Sequence, residues 1–311
     1  MEMYEIVIVG GGTAGLSAAI YGVRAGRKVL VLEQKNYGGQ IINSPEVENY
    51  PGIPHVSGFE FATGLYKQAT GLGAEFSLEK VIRVEDKKDK KIVVTDKQSY
   101  ETLSVILATG AKNRPLGIKG EKELTGAGIS YCATCDGAFF RDREVAVAGG
   151  GSTALEDAMF LAGYCKKVYV IHRREQFRGE AALVETLKTR DNVEFILNAV
   201  VTGLEGKKQL EGIRLQNVET GQEWEKKADG LFVAIGQMPD NEAFSDLVEL
   251  DEKGYIRAAE DCRTRTPGVF TAGDCRTKTV RQLTTAAADG AVAGLAACEY
   301  ISSSKISAAE E

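Results

Sequence analysis

Two cysteines and the aspartate that follows them are the residues of this sequence with the clearest capacity for chemistry. Cys132 and Cys135 are separated by Ala133 and Thr134, and Asp136 follows directly. This spacing lets both thiols lie on one turn, so a disulfide can form and break with little backbone movement. Thiol–disulfide exchange also needs a group that moves protons. Asp136 is the nearest candidate acid, although a helix cap or a surface carboxylate would look the same.

The remaining cysteines and the histidines do not favour a metal site. Cysteine also occurs at positions 165, 262, 275 and 298, and the chain has two histidines, His55 and His172. A zinc ion usually takes four ligands, and the sequence has no second close cysteine pair. We therefore predict a redox-active pair and no metal, in a cytoplasmic protein, because structural disulfides are rare in that compartment.

Two glycine-rich segments, each between a strand-like run and a helix-like run, predict where cofactors bind. Both match G-x-G-x-x-G/A, in which the first glycine makes the turn and the second admits a pyrophosphate. The small third residue lets the helix pack on the strand. One such motif is weak evidence, but two in the right context are strong. The candidate ligands are Gly10, Gly12, Thr13, Ala14 and Gly15 in the first segment and Gly149, Gly151, Ser152, Thr153 and Ala154 in the second.

The likeness between the two segments continues along the chain as an internal duplication. Glu33 ends an apolar run 23 residues after Gly10, and His172 ends one 23 residues after Gly149. Alternating segments and another apolar run ending in glycine follow in each half, at Gly110 and Gly236. This order predicts an α/β fold with two Rossmann-like dinucleotide-binding domains, each with a small β insertion.

The residues at the ends of the second strands predict two different dinucleotides. An acid at this position binds ribose hydroxyls, so Glu33 suits the adenosine ribose of FAD or NAD. The second half instead has His172, Arg173 and Arg174, with Arg178 one helical turn on. Guanidinium groups match the 2′-phosphate of NADP, although a solvated basic turn has the same composition. Two such sites in one chain suggest hydride transfer from NADPH to a bound flavin.

The last 75 residues predict how the two domains are connected. They contain a third strand–glycine element, residues 268–274, and a helical pattern from Thr284 to Tyr300. This tail is too small to be a domain, so we expect it to complete the first unit. The predicted FAD-binding domain is therefore discontinuous, residues 1–112 and 242–311. Residues 113–241 form an inserted NADPH-binding domain that carries the cysteine pair, and residues near 112–115 and 237–241 are candidate hinges.

Further candidate flavin ligands lie outside the glycine motif. Gly39 permits close approach to a ring system, and the amides of Gln40 and Asn49 can hydrogen-bond to it. Asp274 ends a strand before a helix, where it could meet a ribityl hydroxyl or a phosphate, or simply cap the helix.

The composition excludes several other classes of function. The 311 residues include 38 basic and 44 acidic side chains, a net charge of −6, which disfavours general nucleic-acid binding. No apolar run approaches the ~20 residues of a membrane span. The first strand-like run is too short for a signal peptide, so we predict no membrane association.

Together these motifs resemble the low-molecular-weight, bacterial-type thioredoxin reductases over essentially the whole chain. The most specific match is Cys132-Ala-Thr-Cys-Asp-Gly137 before the second glycine motif. The other matching segments are Gly10–Gly15, Gly38–Gln40, Glu48–Gly52, Ala108–Gly110, Gly149–Ala154, His172–Arg174 with Arg178, Gly273–Asp274 and Arg281–Gln282.

The resemblance implies a homodimer that uses FAD and NADPH to reduce the disulfide of thioredoxin or a thioredoxin-like protein. It also implies that Cys135 faces the flavin, that Cys132 attacks the partner's disulfide and that Asp136 is the acid. Some members have histidine at position 237, where this chain has glutamine, which affects one detail of the nicotinamide site. The implied flavin residues include Ala108, Thr109, Gly110, Gly273, Arg281, Gln282 and Leu283, and the implied NADPH residues include Ile235 and Gly236.

Three alternatives use the same features. A related flavin dithiol oxidase would use the cysteine pair without NADPH, and Arg173, Arg174 and Arg178 argue against it. A ferredoxin-linked reductase should lack an intact second glycine motif. A non-enzymatic NADPH-binding redox sensor would have no turnover with thioredoxin.

Overall fold

A computed structural model describes residues 3–44, 46–87 and 89–310, without the side chains of residues 43 and 304–310. Residues 1, 2, 45, 88 and 311 of the predicted FAD-binding domain therefore lie outside the described residues. The chain divides into two compact units, the first formed by Met1–Lys112 and Met238–Glu311 and the second by Asn113–Gln237.

Strands and helices alternate in the first part of each unit, and a run of consecutive strands follows. The strands are β1 Met3–Val9, β2 Val29–Glu33, β3 Glu75–Leu78, β4 Val81–Lys87, β5 Lys90–Thr95, β6 Ser99–Leu107, β7 Ala111–Asn113, β8 Ile129–Ser130, β9 Glu144–Ala148, β10 Lys167–His172, β11 Val193–Leu197, β12 Ala199–Glu205, β13 Gly212–Asn217, β14 Glu223–Lys227, β15 Gly230–Val233, β16 Gln237–Pro239 and β17 Val269–Thr271. The α-helices are α1 Thr13–Arg24, α2 Gly58–Gly71, α3 Glu121–Leu124, α4 Ala133–Asp136, α5 Ser152–Leu161, α6 Ala181–Lys188 and α7 Leu283–Glu310. Short 3-10 turns cover Gly39–Asn43, Gly137–Phe140, Glu242–Phe244 and Gly273–Cys275.

The first unit is built on a seven-stranded sheet with the order β3-β2-β1-β6-β5-β4, and β17 also pairs with β6. β1, β2, β3, β6 and β17 are parallel, so their carboxyl ends lie along one edge. β1 and β2 are nearly continuous apolar runs because both faces of the sheet are covered. Helices α1 and α7 pack closely, since an added Cβ at Gly290 would lie 2.2 Å from the backbone oxygen of Ala14.

The second unit repeats this plan on a smaller sheet. Its five strands have the order β11-β10-β9-β15-β8, and all neighbouring pairs are parallel. A separate antiparallel sheet, β12-β13-β14, lies in the same unit. The carboxyl ends of β9, β10 and β15 again share one edge, which is where the sequence places the second glycine motif.

The predicted α/β fold with two Rossmann-like units is confirmed. The two predicted β insertions differ in where they pair, because β4 and β5 extend the main sheet of the first unit whereas β12, β13 and β14 form their own. The C-terminal tail pairs with the first unit through β17, and its helix extends beyond the predicted end at Tyr300.

The second junction lies at Gln237–Met238, earlier than the predicted residue 241. Asn241 explains the difference, since its side-chain amide donates to the backbone oxygens of Gly254, at 2.9 Å, and Cys275, at 3.0 Å, in the first unit. Its Oδ1 also accepts from Thr109 at 2.7 Å. Among the residues described, none of the helices is both long and apolar enough to cross a bilayer.

Candidate active site and cofactor sites

The cysteine pair lies in the second unit at the start of the short helix α4. Cys132 is the residue before the helix, Cys135 lies within it, and the two are joined in a disulfide with their Cα atoms 5.3 Å apart. The backbone nitrogens of Cys135 and Asp136 both donate to the backbone oxygen of Cys132, at 3.3 and 3.1 Å. This tight turn brings both sulfurs together, as the spacing in the sequence predicts.

Asp136 has the environment of a buried acid. Its Oδ2 accepts a hydrogen bond of 2.6 Å from the Ser130 hydroxyl, and its Oδ1 is buried with no hydrogen-bond partner among the residues described. Burial raises the pKa of Asp136, and the hydrogen bond from Ser130 opposes part of that rise. A carboxyl group in this setting keeps its proton to higher pH and can donate it to a thiolate.

Ser130 is a functional candidate that the sequence analysis missed. It ends β8, and its hydroxyl accepts from the backbone nitrogen of Cys132 at 3.0 Å while donating to Asp136. One side chain therefore links the backbone of the first cysteine to the candidate acid. A lone serine before a cysteine carries no distinctive pattern, so only the three-dimensional contact identifies it.

The first glycine motif forms a turn that leaves open space above the backbone. Gly10 has a φ of 112° and an added Cβ there would lie 2.2 Å from the backbone oxygen of Ala108. An added Cβ at Gly15 would lie 1.9 Å from the backbone oxygen of Gly10, so this glycine allows α1 to pack on β1. At Gly12, by contrast, the nearest atom to an added Cβ is the Cα of Gly39, at 3.9 Å. We call this open space beside Gly12 the glycine cradle. It fits a pyrophosphate that approaches the second glycine.

Other predicted flavin residues of the first unit gather at the same edge of the sheet. The Glu33 carboxylate ends β2 and accepts from the backbone nitrogen of Gly11 at 2.9 Å, so it is positioned beside the turn. Gly38, next to Gly39, forms a bridge with Gly12. Asn49 donates to the side-chain oxygen of Gln282 at 3.4 Å, and Gln40 donates to the backbone oxygen of Ala111.

Asp274 lies in a turn after β17 and has an unsatisfied buried oxygen. Its Oδ1 has no partner among the residues that the structure describes, and burial raises the pKa of this carboxyl, although Lys278 and Arg281 lower it. A ribityl hydroxyl could donate to this oxygen, which fits a flavin nucleotide. Arg281 lies over the Tyr255 ring at 4.2 Å, and Leu283 begins α7 just after Gln282.

The second glycine motif forms the equivalent turn in the second unit. Gly149 follows β9, and an added Cβ there would lie 2.4 Å from the backbone oxygen of Ala234. Gly151 precedes α5, and an added Cβ there meets no atom within 4 Å. Ser152, Thr153 and Ala154 form the first turn of the helix, and Ile235 and Gly236 follow β15 at the same edge. The open space at Gly151 again fits a dinucleotide phosphate.

The three predicted arginines are exposed next to this turn. Arg173, Arg174 and Arg178 form no ion pair with any described residue, and the backbone nitrogen of Arg178 donates to Gly150 at 2.8 Å. Three guanidinium groups without carboxylate partners are suited to a phosphate ligand.

His172 has a different position from the arginines. Its ring is buried, stacks on Phe177 with centroids 5.1 Å apart and occupies the space where a Cβ of Gly150 would lie. Burial and the three nearby arginines lower its pKa. The neutral His172 ring therefore packs against the backbone of the glycine turn at Gly150.

One further cluster has metal-ligand residues. The ligand atoms of Glu46, Glu48 and His55 lie within 4.8 Å of one another in the first unit. His55 and Glu48 are exposed, and His55 pairs with Glu46 at 2.5 Å. Direct contacts between the His55 ring and the two carboxylates at the surface account for this arrangement.

Comparisons with known proteins agree with this geometry. Residues 4–290 match the pyridine nucleotide-disulphide oxidoreductase family model. The thioredoxin reductase of Listeria monocytogenes serovar 1/2a is 40% identical over 96% of this chain and 94% of its own length, and that of Peptoclostridium litorale is 42% identical over 96% and 98%. The crystal structure of thioredoxin reductase from Streptococcus pyogenes MGAS5005 has a TM-score of 0.92 and 41% identity, over 97% of this chain and 99% of that one.

Relatives this similar over nearly the full length of both chains leave little room for a different family. The chain therefore belongs to the pyridine nucleotide-disulphide oxidoreductases and, within them, to the thioredoxin reductases, which are flavoprotein disulfide reductases that use FAD and NADPH.

Proposed function

We propose that this protein passes electrons from NADPH, through FAD and the Cys132–Cys135 pair, to the disulfide of thioredoxin or a thioredoxin-like protein. The observation that carries the proposal is the disulfide on the turn 132–135 with a buried carboxyl, Asp136, directly after it. A structural disulfide has no need of a neighbouring acid. Bound FAD would supply the two-electron redox chemistry that links a nicotinamide to a disulfide.

The residues of the pair have separate roles in the proposed exchange. Once the disulfide is reduced, the Cys132 thiolate attacks a sulfur of the partner's disulfide, which forms a mixed disulfide and releases one partner thiolate. Asp136 gives that leaving thiolate its proton. Cys135 then attacks the sulfur of Cys132, which releases the reduced partner and restores the Cys132–Cys135 disulfide.

Steady-state turnover tests this function directly. We expect the purified protein to contain FAD and to oxidise NADPH only when oxidised thioredoxin is added, because the electrons need an acceptor. The measurements are NADPH absorbance with and without oxidised thioredoxin, the free thiols of thioredoxin with reduced ferredoxin in place of NADPH, and oxygen consumption with a small dithiol and no NADPH. Oxygen consumption with the dithiol would favour a dithiol oxidase, thioredoxin reduction by ferredoxin a ferredoxin-linked reductase, and the absence of any turnover a redox sensor.

The two units are proposed to bind different cofactors. The Oδ1 of Asp274, which has no partner among the described residues, and the glycine cradle at Gly12 support FAD in the first unit, together with the residues assembled along its sheet edge. The arginines, which form no ion pair within the described part of the chain, and the cradle at Gly151 support NADPH in the second. The segments near residues 112–115 and 237–241 stay predicted hinges.

Two matched alanine substitutions test this assignment. Gly12 and Gly151 have φ angles of −81° and −93°, which alanine adopts, and neither added methyl clashes with the protein. Both variants should therefore fold. A methyl group that overlaps a bound phosphate costs about 1–3 kcal/mol, so Gly12→Ala should weaken FAD binding about 5- to 100-fold and Gly151→Ala should weaken NADPH binding similarly.

FAD content after gel filtration and NADPH binding by calorimetry give the two readouts. Gly15→Ala is the contrasting control, because its methyl would lie 1.9 Å from a backbone oxygen and should destabilise the fold itself. Loss of both ligands in either cradle variant would contradict the assignment of one cofactor to each unit.

The arginines should decide the choice between NADPH and NADH. Replacing Arg173 and Arg174 together with alanine should raise the KM for NADPH about 100-fold or more, since each hydrogen bond to a charged group contributes ~1.5–3 kcal/mol. Use of NADH, which lacks the 2′-phosphate, should change little. Arg190→Ala removes an exposed arginine after α6 and serves as the control. An equal loss with both nucleotides would overturn the 2′-phosphate assignment.

We also propose a cytoplasmic homodimer. The buried free thiols of Cys165, Cys262, Cys275 and Cys298 support a reducing compartment. Exposed Tyr21 on α1, with Val292 and Leu295 on the adjacent α7, supports an apolar contact between two copies. Analytical ultracentrifugation tests the dimer, and a monomer at micromolar concentration would contradict it.

A further inference from the structure

Asp289 is a buried carboxylate that the exchange chemistry does not use. It lies on α7, is 6% exposed and accepts four hydrogen bonds. Its Oδ2 accepts from Arg276 Nε at 2.8 Å, from Lys278 Nζ at 2.9 Å and from the backbone nitrogen of Gly273 at 2.9 Å. Its Oδ1 accepts from Arg276 Nη2 at 2.8 Å. The Asp289 side chain therefore connects α7 to residues 273–278, the segment that follows β17.

The charges around Asp289 keep it ionised. Burial alone would raise the pKa of this carboxyl, but the hydrogen bonds from Arg276 and Lys278 outweigh burial and lower it. The side chains of Arg276 and Lys278 are themselves only 2% and 6% exposed. Because two buried cations surround one carboxylate, the cluster depends on Asp289 for its balance of charge.

The cluster lies directly behind the turn that carries Asp274. Gly273 has a φ of 81°, and an added Cβ there would lie 2.8 Å from the Cβ of Ala14 in the first glycine motif. Gly290, the residue after Asp289, contacts the backbone of the same alanine. The Gly273 turn, the start of α1 and α7 therefore meet at one point, next to the glycine cradle.

Asp274 shows what this turn presents to a ligand. Its buried Oδ1 has no partner among the residues described, so the turn points an acceptor into a place where nothing in the described protein satisfies it. The hydrogen bond between Asp289 and the nitrogen of Gly273 fixes the residue immediately before this acceptor. Pre-organising a binding group before the ligand arrives reduces the entropy lost on binding.

We propose that Asp289 is a positioning residue for FAD: from α7 it fixes the Gly273–Cys275 turn and so determines how tightly the flavin nucleotide is retained. This inference rests on the proposed binding of FAD to the first unit. It assigns no contact with FAD to Asp289 itself, which lies behind the turn.

A pair of variants separates positioning from charge balance. Asp289→Ala combined with Lys278→Met removes the acceptor of Gly273 but keeps the net charge of the cluster, because one anion and one cation are lost together. Lys278→Met alone leaves the contacts of Asp289 with Gly273 and Arg276 in place. We expect the double variant to raise the dissociation constant of FAD about 10- to 100-fold, as for the loss of a hydrogen bond to a charged group, and the single variant to change it little.

The measurement uses the holoprotein, diluted and ultrafiltered at a series of FAD concentrations, with free FAD read by its fluorescence. Glu299→Gln is the matched control, since this carboxylate lies on the same helix but pairs with Arg263 at the surface. Far-UV circular dichroism and a cooperative thermal melt report whether each variant is folded, and calorimetric binding of NADPH reports on the second unit alone. Asp289→Leu combined with Lys278→Met, which keeps the volume of the side chain but also lacks an acceptor, gives the same measurement if the first double variant does not fold.

The outcomes are distinct. Loosened FAD in either double variant, with wild-type retention in Lys278→Met and Glu299→Gln, supports the proposal. Wild-type retention in every variant overturns it, and so does equal loosening in Lys278→Met, which would assign the effect to charge alone. A wild-type protein that binds no FAD would instead contradict the proposed function.

Discussion

Replacing Asp136 with asparagine should slow the reduction of thioredoxin by about 10²- to 10⁴-fold, the contribution that a positioned general acid usually makes. The variant loses the proton that the leaving thiolate needs but keeps the shape of the side chain. It should leave the reduction of the protein by NADPH unchanged, because no partner disulfide takes part in that half of the reaction. Rapid mixing of the reduced enzyme with oxidised thioredoxin measures the affected step alone.

The pH dependence of the same step follows from the environment of Asp136. Burial raises the pKa of this carboxyl, so the protonated form that donates persists at pH values where an ordinary aspartate is ionised. The rate should therefore fall as the pH rises through this raised pKa. Ser130→Ala removes the hydrogen bond that lowers the pKa, so its profile should be displaced to higher pH.

Glu123→Gln is the control for both variants, since it removes an exposed carboxylate in the same unit. If Asp136→Asn exchanges with thioredoxin at the rate of the wild type, Asp136 is not the acid. A Ser130→Ala profile that moves to lower pH would contradict the role given to the serine, because removing a donor to the carboxylate can only raise its pKa.

The sequence was sufficient to predict the two-unit fold because its strongest signals are local. A side chain at Gly10 or Gly15 would clash with a backbone oxygen, so both positions require glycine. The turn can therefore be recognised from these glycines without knowledge of the rest of the chain. The continuous apolar runs of β1 and β9 are local signals as well, because a parallel strand that is buried on both faces needs apolar side chains on both sides. The pairing of the insertions was not predictable, because alternation marks a strand but not the sheet that it joins.

The missed residues are those whose contacts form only once the chain has folded. Asn241 accepts from Thr109, 132 positions away, and this contact places the second junction before residue 241. Asp289 lies 16 positions after Gly273, within a segment where the sequence predicts only a helical pattern. Ser130 is close to Asp136 in sequence, yet the turn at Cys132 has to fold before the two can meet.

The two cysteines should differ completely in one partial reaction, although neither single variant should turn over thioredoxin. Cys135→Ser leaves Cys132 as an attacking thiol without a resolving partner. It should form a stable mixed disulfide with a thioredoxin whose own resolving cysteine has been removed and whose remaining cysteine carries thionitrobenzoate, because Cys132 displaces the thionitrobenzoate anion and no thiol remains to reverse the exchange. Cys132→Ser leaves only Cys135, which we propose faces the flavin, and it should trap no thioredoxin.

A non-reducing gel that shows the joined species, and its loss on adding dithiothreitol, decides between the two cysteines. Cys165→Ser and Cys298→Ser are the controls, since both thiols are buried, free and outside the pair, and both variants should keep turnover. Trapping by Cys132→Ser and not by Cys135→Ser would reverse the two roles while preserving the function. If neither variant traps thioredoxin, the disulfide on the turn 132–135 does not exchange with it. The acceptor would then have to be a different disulfide, even though the family and its two cofactors would stand.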